Sequence, residues 1–309
     1  MKGISNDSEP PPKECAGLSL VPGALILLLI LVWPGGPLVS AAALPKCEAP
    51  PVFHGTPSRP AAASNPAGTS IRVVSLNMHG KSDWEVVQRE VEASPQLADA
   101  DVFLLQEVKE DGRKLVEEAS EATGFYYLFS PAADWGLAIL SRFPLTSQRA
   151  ELLPQNNLVY QSRCRISLSA IATSDSGILN LFNVHLDVRI NASRSVRQVR
   201  PVMEAARQAD GPSLIAGDFN TANLLWIQSM VPIPFLGKHT RAVEKAMKEM
   251  GFTTPFRDTG ATFDFPPLKL DWIFLKGLRA RDRGLVDLDF TDHKALWVVL
   301  EKEVSGPGC

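Results

Sequence analysis

Residues 71–300 predict a layered α/β sandwich. Three observations carry that expectation. Short apolar runs of strand length recur along the whole stretch, segments with helical periodicity separate several of them, and polar, chemically versatile residues stand where the apolar runs end. Ile71–Asn77 is the first apolar strand, and Trp84–Ala98 follows with helical spacing. Asp101–Gln106 (DVFLLQ) reads as a second buried strand, ahead of a polar helix near Gly112–Thr123. Leu137–Ser141, Gln161–Ala172, Ile178–Leu186 and Ser213–Ala216 are further strands. Arg194–Gln208 is helical in pattern, although Pro201 must start a segment or kink it. Arg241–Met250 is a short helix ended by Gly251. Leu270–Leu275, Gly284–Asp289 and Lys294–Leu300 close the chain as strands. No internal repeat is present.

The chain has 309 residues, 45% hydrophobic and 21% charged, which is globular composition with length for one large domain plus extensions. The first 69 residues carry four basic and four acidic side chains, so the net charge of −3 belongs to the remainder. A domain that binds duplex DNA chiefly through phosphates is usually basic, so this balance disfavours that class while leaving room for a local basic cleft.

Residues 1–15 form a tail of mixed charge, and residues 16–43 an uncharged segment in which Leu18–Trp33 is almost wholly apolar. As a helix that run spans ~25 Å, a little short of a bilayer core. It reads as an uncleaved anchor, with Trp33 at the interface and Pro34-Gly35-Gly36-Pro37 ending the helix, or as a signal segment cleaved within Ser40-Ala41-Ala42-Ala43. Either reading places the domain outside the cytoplasm, membrane-anchored or secreted. Residues 44–69, rich in Pro, Ala, Ser and Gly, read as an extended linker, with the folded domain over 70–303 and a tail over 304–309. The four cysteines (Cys15, Cys47, Cys164, Cys309) are too scattered for a disulfide scaffold or a zinc ribbon. A Cys47–Cys309 bridge is one reading in an oxidising compartment, and unpaired thiols are the preferred one.

Asn77, Gln106-Glu107, His185, Asp187, Asp218, Asn220, Asp271 and Asp292-His293 all fall at strand ends, where ligands of open α/β sheets gather. Carboxylates, amides and imidazoles converging there suit a hard divalent cation held by oxygens, together with a base and a transition-state donor. Singly, each has a bland alternative: Glu107 as a solvated strand end, His185 as a packed histidine, Asp218 and Asn220 as turn formers, and Asp292-His293 as a strand cap. The ordered set is more specific. SLN (75–77), LLQE (104–107), GLAILS (136–141), NVHLD (183–187), GDFN (217–220), LDWIF (270–274) and TDH (291–293) occur in sequence, and in this the chain resembles the endonuclease/exonuclease/phosphatase superfamily with its DNase I-like fold.

That resemblance implies a four-layer α/β/β/α sandwich of two facing mixed sheets with outer helices, and a site at the sheets' shared end. It implies Glu107 as principal metal carboxylate, with Asn77 and Asp292 completing or approaching the metal shell. Asp218 would orient or deprotonate the attacking water, Asn220 and His185 would donate to the phosphoryl oxygens, and Asp271 would position His293. The choice between Asp218 and His293 as base, and between one metal and two, stays open. Magnesium is the expected ion, with manganese as the alternative, because the donors are oxygens. Some members place an acidic residue where this chain has His79, which makes a second metal less expected and suggests His79 as a substrate contact. Arg194, Arg197 and Arg200 repeat every third residue, and Arg194 is the candidate phosphate contact, although a solvated helix face is the commoner use of such a row. Arg279, Arg281 and Arg283 have the same two readings. Leu224–Gly237 (LLWIQSMVPIPFLG) is either a substrate loop or core, with core favoured. The expected activity is metal-dependent phosphodiester hydrolysis of the nuclease or general phosphodiesterase kind. Alternatives are a lipid-headgroup phosphodiesterase (sphingomyelinase-like), an inositol-phosphate phosphatase, and an inactive anchored binding module. The partners expected are the phosphoester substrate and, through the N-terminal segment, the membrane, with no obligate protein partner.

Overall fold

The computed structural model describes residues 47–61, 70–109, 111–132, 135–156, 164–175, 177–227, 231–234 and 237–302. In chain order the strands are β1 (Phe53–Gly55), β2 (Ile71–Asn77), β3 (Val102–Lys109), β4 (Tyr126–Ser130), β5 (Trp135–Ser141), β6 (Leu145–Leu152), β7 (Ile166–Ser174) and β8 (Gly177–His185). They continue with β9 (Ser213–Asp218), β10 (Leu224–Ile227), β11 (Val231–Pro234), β12 (Asp271–Lys276), β13 (Leu278–Val286) and β14 (Ala295–Lys302). The helices are α1 (Trp84–Ala93), α2 (Pro95–Ala98), α3 (Arg113–Thr123), α4 (Ala192–Gln208) and α5 (His239–Glu249).

Two mixed sheets form, one in the order β1-β4-β5-β3-β2-β14-β13 and the other β12-β9-β8-β7-β6. Their strands carry apolar residues on both faces, so consecutive side chains enter different cores. Val73 faces the opposite sheet, in a core with Leu104, Ile139, Leu168, Leu181, Leu214, Ile273 and Leu296. Val74 faces outward, where Val87 of α1 and Val116 of α3 cover it. On the other flank Ile215 and Trp272 pack beneath Val199 and Met203 of α4 and Val243 and Met247 of α5. The result is the four-layer α/β/β/α sandwich.

Several local expectations need correction. The helix expected over Trp84–Ala98 breaks at Ser94, which is extended because the residue before a proline avoids the helical region. Pro201, by contrast, is accommodated inside the unbroken α4. The segment read as linker contributes β1, which pairs with β4, and the Ala61 N–H donates to the Gly124 carbonyl, so folded structure begins before residue 70. Cys47 forms a disulfide with Cys164, which replaces both the Cys47–Cys309 reading and the unpaired-thiol reading for these two. The described residues of Leu224–Gly237 do not enter the core. They supply the β10–β11 ribbon, outside both sheets, with Leu225, Ile227 and Val231 exposed. Arg279 and Arg281 pair with Glu301 across β13 and β14, the solvated reading. Residues 1–46, with the anchor or signal segment, lie outside the described residues. Among the described residues no helix is long and apolar enough to cross a membrane.

Candidate active site

The register of the second sheet builds one row of polar residues. His185 ends β8 and pairs in parallel register with Asp218 at the end of β9, while Asp271 at the start of β12 pairs with Asp218 on its other side. From the first sheet Asn77 ends β2, opposite Gln106 of β3. A bulge between Leu105 and Val108 interrupts the β3–β5 ladder, and Glu107 sits within it at φ 54°. An added residue in one strand re-aims its side chains. His79 (φ 46°) and Asn220 (φ 51°) also occupy the left-handed region, so uncommon backbone clusters around these strand ends. Gly217 has φ 138°, and a Cβ there would lie 2.0 Å from the Val184 carbonyl oxygen, so only glycine lets β9 pass β8 this closely.

The side chains meet around Asp218. Its Oδ2 accepts from Asn77 Nδ2 at 3.2 Å and lies 3.5 Å from His185 Nε2 and 4.0 Å from His293 Nε2. Its Oδ1 accepts from the Asn220 N–H at 2.8 Å. Glu107 Oε1 is 3.7 Å from His185 Nε2. Asp271 Oδ2 lies 2.8 Å from His293 Nδ1 and accepts from Thr262 Oγ1 at 2.6 Å. Two triplets therefore have donor atoms close enough to hold a cation, Glu107–His185–Asp218 and Asp218–Asp271–His293. Burial, and then the neighbouring Asp271 carboxylate, push the Asp218 carboxyl up to about 7, against the pull of His293 and of the Asn220 N–H. Burial acts to lower the His293 imidazolium, but the Asp271 charge and hydrogen bond, with Asp218 and Asp292, outweigh it and raise it to about 10.

Nine of the sequence-derived residues thus lie at this end of the sandwich, in two groups. Asn77, Glu107, His185, Asp218, Asn220, Asp271 and His293 form the connected cluster. Asp292 instead pairs with His79, Oδ1 to Nδ1 at 3.0 Å, on the more exposed rim. The Asn77 amide is occupied twice, since its Oδ1 accepts from the His79 N–H at 2.9 Å. Asn220 Nδ2 donates to the Leu186 carbonyl at 3.0 Å. Arg194 is exposed on the first turn of α4. Sequence reasoning missed the supporting residues. Arg165 reaches His185 Nδ1 at 3.0 Å, Asn183 bridges the two sheets, and Thr262 holds Asp271. For Arg165 and Asn183 the one signal was a polar or charged residue next to, or inside, an otherwise apolar strand; Thr262, in the irregular segment before β12, carried none.

The sequence profile of the Endonuclease/Exonuclease/phosphatase family matches residues 74–293. The UPF0294 protein VV2535 of Vibrio vulnificus (strain YJ016) is 25% identical over 236 residues, spanning 74% of this chain and 75% of that protein. The solved endonuclease/exonuclease/phosphatase of Beutenbergia cavernae DSM 12333 superposes with a TM-score of 0.60 at 17% identity, covering 76% of this chain and 72% of that one. TDP2 of D. rerio, complexed with a single strand DNA product, gives a TM-score of 0.55 at 16% identity, over 75% and 99% of the two chains.

Proposed function

The chain belongs to the endonuclease/exonuclease/phosphatase family, and from that membership and the geometry of its site we propose that it is a divalent-metal-dependent phosphodiesterase of the nuclease type, acting outside the cytoplasm. The observation that carries this reading is the convergence of Glu107, His185 and Asp218 beside the Asp271–His293 pair. Two carboxylates and an amide brought together at the strand ends form an oxygen-rich donor set that fits a hard divalent ion, magnesium by preference. Glu107 would hold it, with Asn77 and Asp218 adjacent. When bound, the ion neutralises charge on the phosphoryl oxygens.

The chain's own residues supply the rest. Asp218, held by Asn77 Nδ2 and the Asn220 N–H, is placed to accept the proton of the attacking water. His293, kept cationic by Asp271, opposes the charge that builds up beside it. His185 and Asn220 are the donors for the non-bridging oxygens. Water oxygen bonds to phosphorus, the ester P–O bond breaks, and the leaving oxygen takes up a proton. The Cys47–Cys164 disulfide and the apolar Leu18–Trp33 run support an oxidising, exported location. The relative crystallised with single strand DNA product favours nucleic acid as substrate.

A second reading, a lipid-headgroup phosphodiesterase, is favoured by one feature. The β10–β11 ribbon starts four residues after Asn220 and exposes Leu225, Ile227 and Val231. The test is a panel of single-stranded and plasmid DNA, RNA, sphingomyelin vesicles and inositol phosphates, incubated with the full chain with and without EDTA. Magnesium-dependent cleavage of nucleic acid supports the first reading and cleavage of sphingomyelin the second. No turnover on any arm, or full turnover in EDTA, overturns the assignment.

A further inference from the structure

We propose that Arg165 is a positioning residue that fixes His185 as its Nε2–H tautomer, so that the ring presents a hydrogen-bond donor to the reacting phosphoryl group. Arg165 Nη1 lies 3.0 Å from His185 Nδ1. A guanidinium has donors only, so the imidazole nitrogen facing it must be the acceptor. The single ring proton is then on Nε2, the nitrogen that lies 3.5 Å from Asp218 Oδ2 and 3.7 Å from Glu107 Oε1. A proton on Nδ1 would set two donors face to face in a buried place. His293 receives the opposite polarity, because its Nδ1 faces the Asp271 carboxylate and must donate to it. The two histidines flanking Asp218 are therefore not interchangeable. One is prepared as a neutral donor by an arginine, and the other is bound through its Nδ1 proton to an acid.

Arg165 is itself rigidly held. It is 6% exposed, and its Nε reaches Asp187 Oδ1 at 3.3 Å. Asp187 Oδ2 accepts from Asn156 Nδ2 and from Gln198 Nε2, both at 2.9 Å, and the Asp187 N–H donates to Gln198 Oε1 at 2.9 Å. Arg197 Nη2 in turn donates to Asn156 Oδ1 at 2.7 Å. The residue before Arg165 is Cys164, whose disulfide to Cys47 pins the backbone that enters β7. An arginine needed only to neutralise Asp187 would have no need to point a nitrogen at His185. Such second contacts fix the tautomer and orientation of a working imidazole.

The consequence for turnover rests on the phosphodiesterase reading, but the tautomer does not, and the experiment separates them. Two-bond proton–nitrogen correlation of the full chain with ¹⁵N-histidine, at neutral pH, reads the tautomer directly. The His185 signals are assigned by their disappearance in His185→Asn. We expect a bare Nδ1 and a protonated Nε2. A protonated Nδ1 in the unaltered protein overturns the proposal, whatever the substrate proves to be. Arg165→Met should lose the preference and lower kcat by about tenfold or more with KM little changed, short of the roughly 10²–10³ that losing an oxyanion donor costs. Arg165→Lys, which keeps a cationic donor, should recover the tautomer and most of the turnover. A folded Arg165→Met with the wild-type tautomer and wild-type kcat also overturns it. If Arg165→Met does not fold, the wild-type spectrum decides alone.

Discussion

Gln106 Nε2 donates to Asn183 Oδ1 at 2.7 Å, and through this contact a strand of one sheet grips a strand of the other directly behind Glu107. Asn183 Nδ2 donates in turn to the carbonyls of Leu105 at 2.8 Å and Ala138 at 3.0 Å, at the edge of the bulge that carries Glu107. A bulge leaves ladder groups unpaired, and a buried carbonyl without a donor is costly. Asn183→Leu should therefore lower stability by about 1–3 kcal/mol, seen in urea melts. It should also weaken magnesium binding measured by calorimetry, because Glu107 loses its support. Unchanged magnesium affinity in a destabilised variant would show that the amide serves the fold alone.

Glu107 carries the second prediction. Millimolar magnesium should raise the melting temperature of the wild-type chain, because a ligand that binds only the folded state stabilises it by mass action. Glu107→Gln should abolish that rise and reduce turnover severely while leaving the magnesium-free melt close to wild type. A Glu107→Gln protein that still gains the full shift would move the ion to another set of ligands.

His239 opens α5 and is 1% exposed, and among the described residues neither of its ring nitrogens has a partner in hydrogen-bond geometry. Burial, partly offset by the backbone of Ala222, lowers its pKa from 6.5 to about 4. A base whose folded pKa is depressed contributes stability that is fully present above its unfolded pKa. As the pH falls from about 6.5 to 4 the unfolded chain takes up a proton that the folded chain does not, and that contribution, on the order of 3 kcal/mol, is lost. His239→Leu should flatten the pH dependence of stability between 6.5 and 4. An identical slope in wild type and variant would assign the acid limb to other groups.

Reduction of the Cys47–Cys164 bond releases a tie across 117 residues of chain. Cys47→Ser should lose about 2–4 kcal/mol of stability in denaturant melts under oxidising conditions, and added reductant should have no further effect on it. A wild-type protein indifferent to reductant would mean that the bond does not form in solution.

Much of this was legible in the sequence, and the rest was hidden for identifiable reasons. Strand-end residues such as Asn77, His185, Asp218 and Asp271 announce themselves because an apolar run stops or starts at each; the parallel register of β8 and β9 then aligns His185 with Asp218, and the antiparallel pairing of β12 adds Asp271. Glu107 was visible as a candidate, but the bulge that aims it was not, since a register shift depends on the partner strand. Arg165 and Asn183 contact residues 20 and 78 positions away, pairings that no local pattern encodes. The β10–β11 ribbon misled because apolar residues alone do not say whether a segment enters a core or stands outside it. Cys47 was misplaced for a related reason. Its composition-based linker is tied into the domain by a disulfide and by β1, and both require tertiary neighbours.

Asp271 and His293 provide the sharpest separation of machinery from scaffold. Asp271 is 2% exposed and His293 6%, and the imidazole Nδ1 lies 2.8 Å from the carboxylate. Thr262 holds the same Oδ2, and its hydroxyl oxygen accepts from the Leu270 and Asp271 N–H groups at 3.0 Å each, so the acid is fixed before substrate arrives. Asp271→Asn preserves this shape but replaces an anion with an amide, which stabilises the His293 cation far less. Turnover should fall by the order that a positioned acid–base group contributes, ~10²–10⁴-fold. Residues that act as one unit are not additive, so Asp271→Asn with His293→Ala should be little worse than His293→Ala alone. If the two residues merely cap neighbouring strands, each change should cost stability independently, and turnover per folded molecule should hold. The measurement is a double-mutant cycle on kcat, normalised to the folded fraction by thermal melts. Coupled losses in kcat at nearly constant melting temperature assign the pair to the chemistry, and additive losses that track the melts assign it to the sheet.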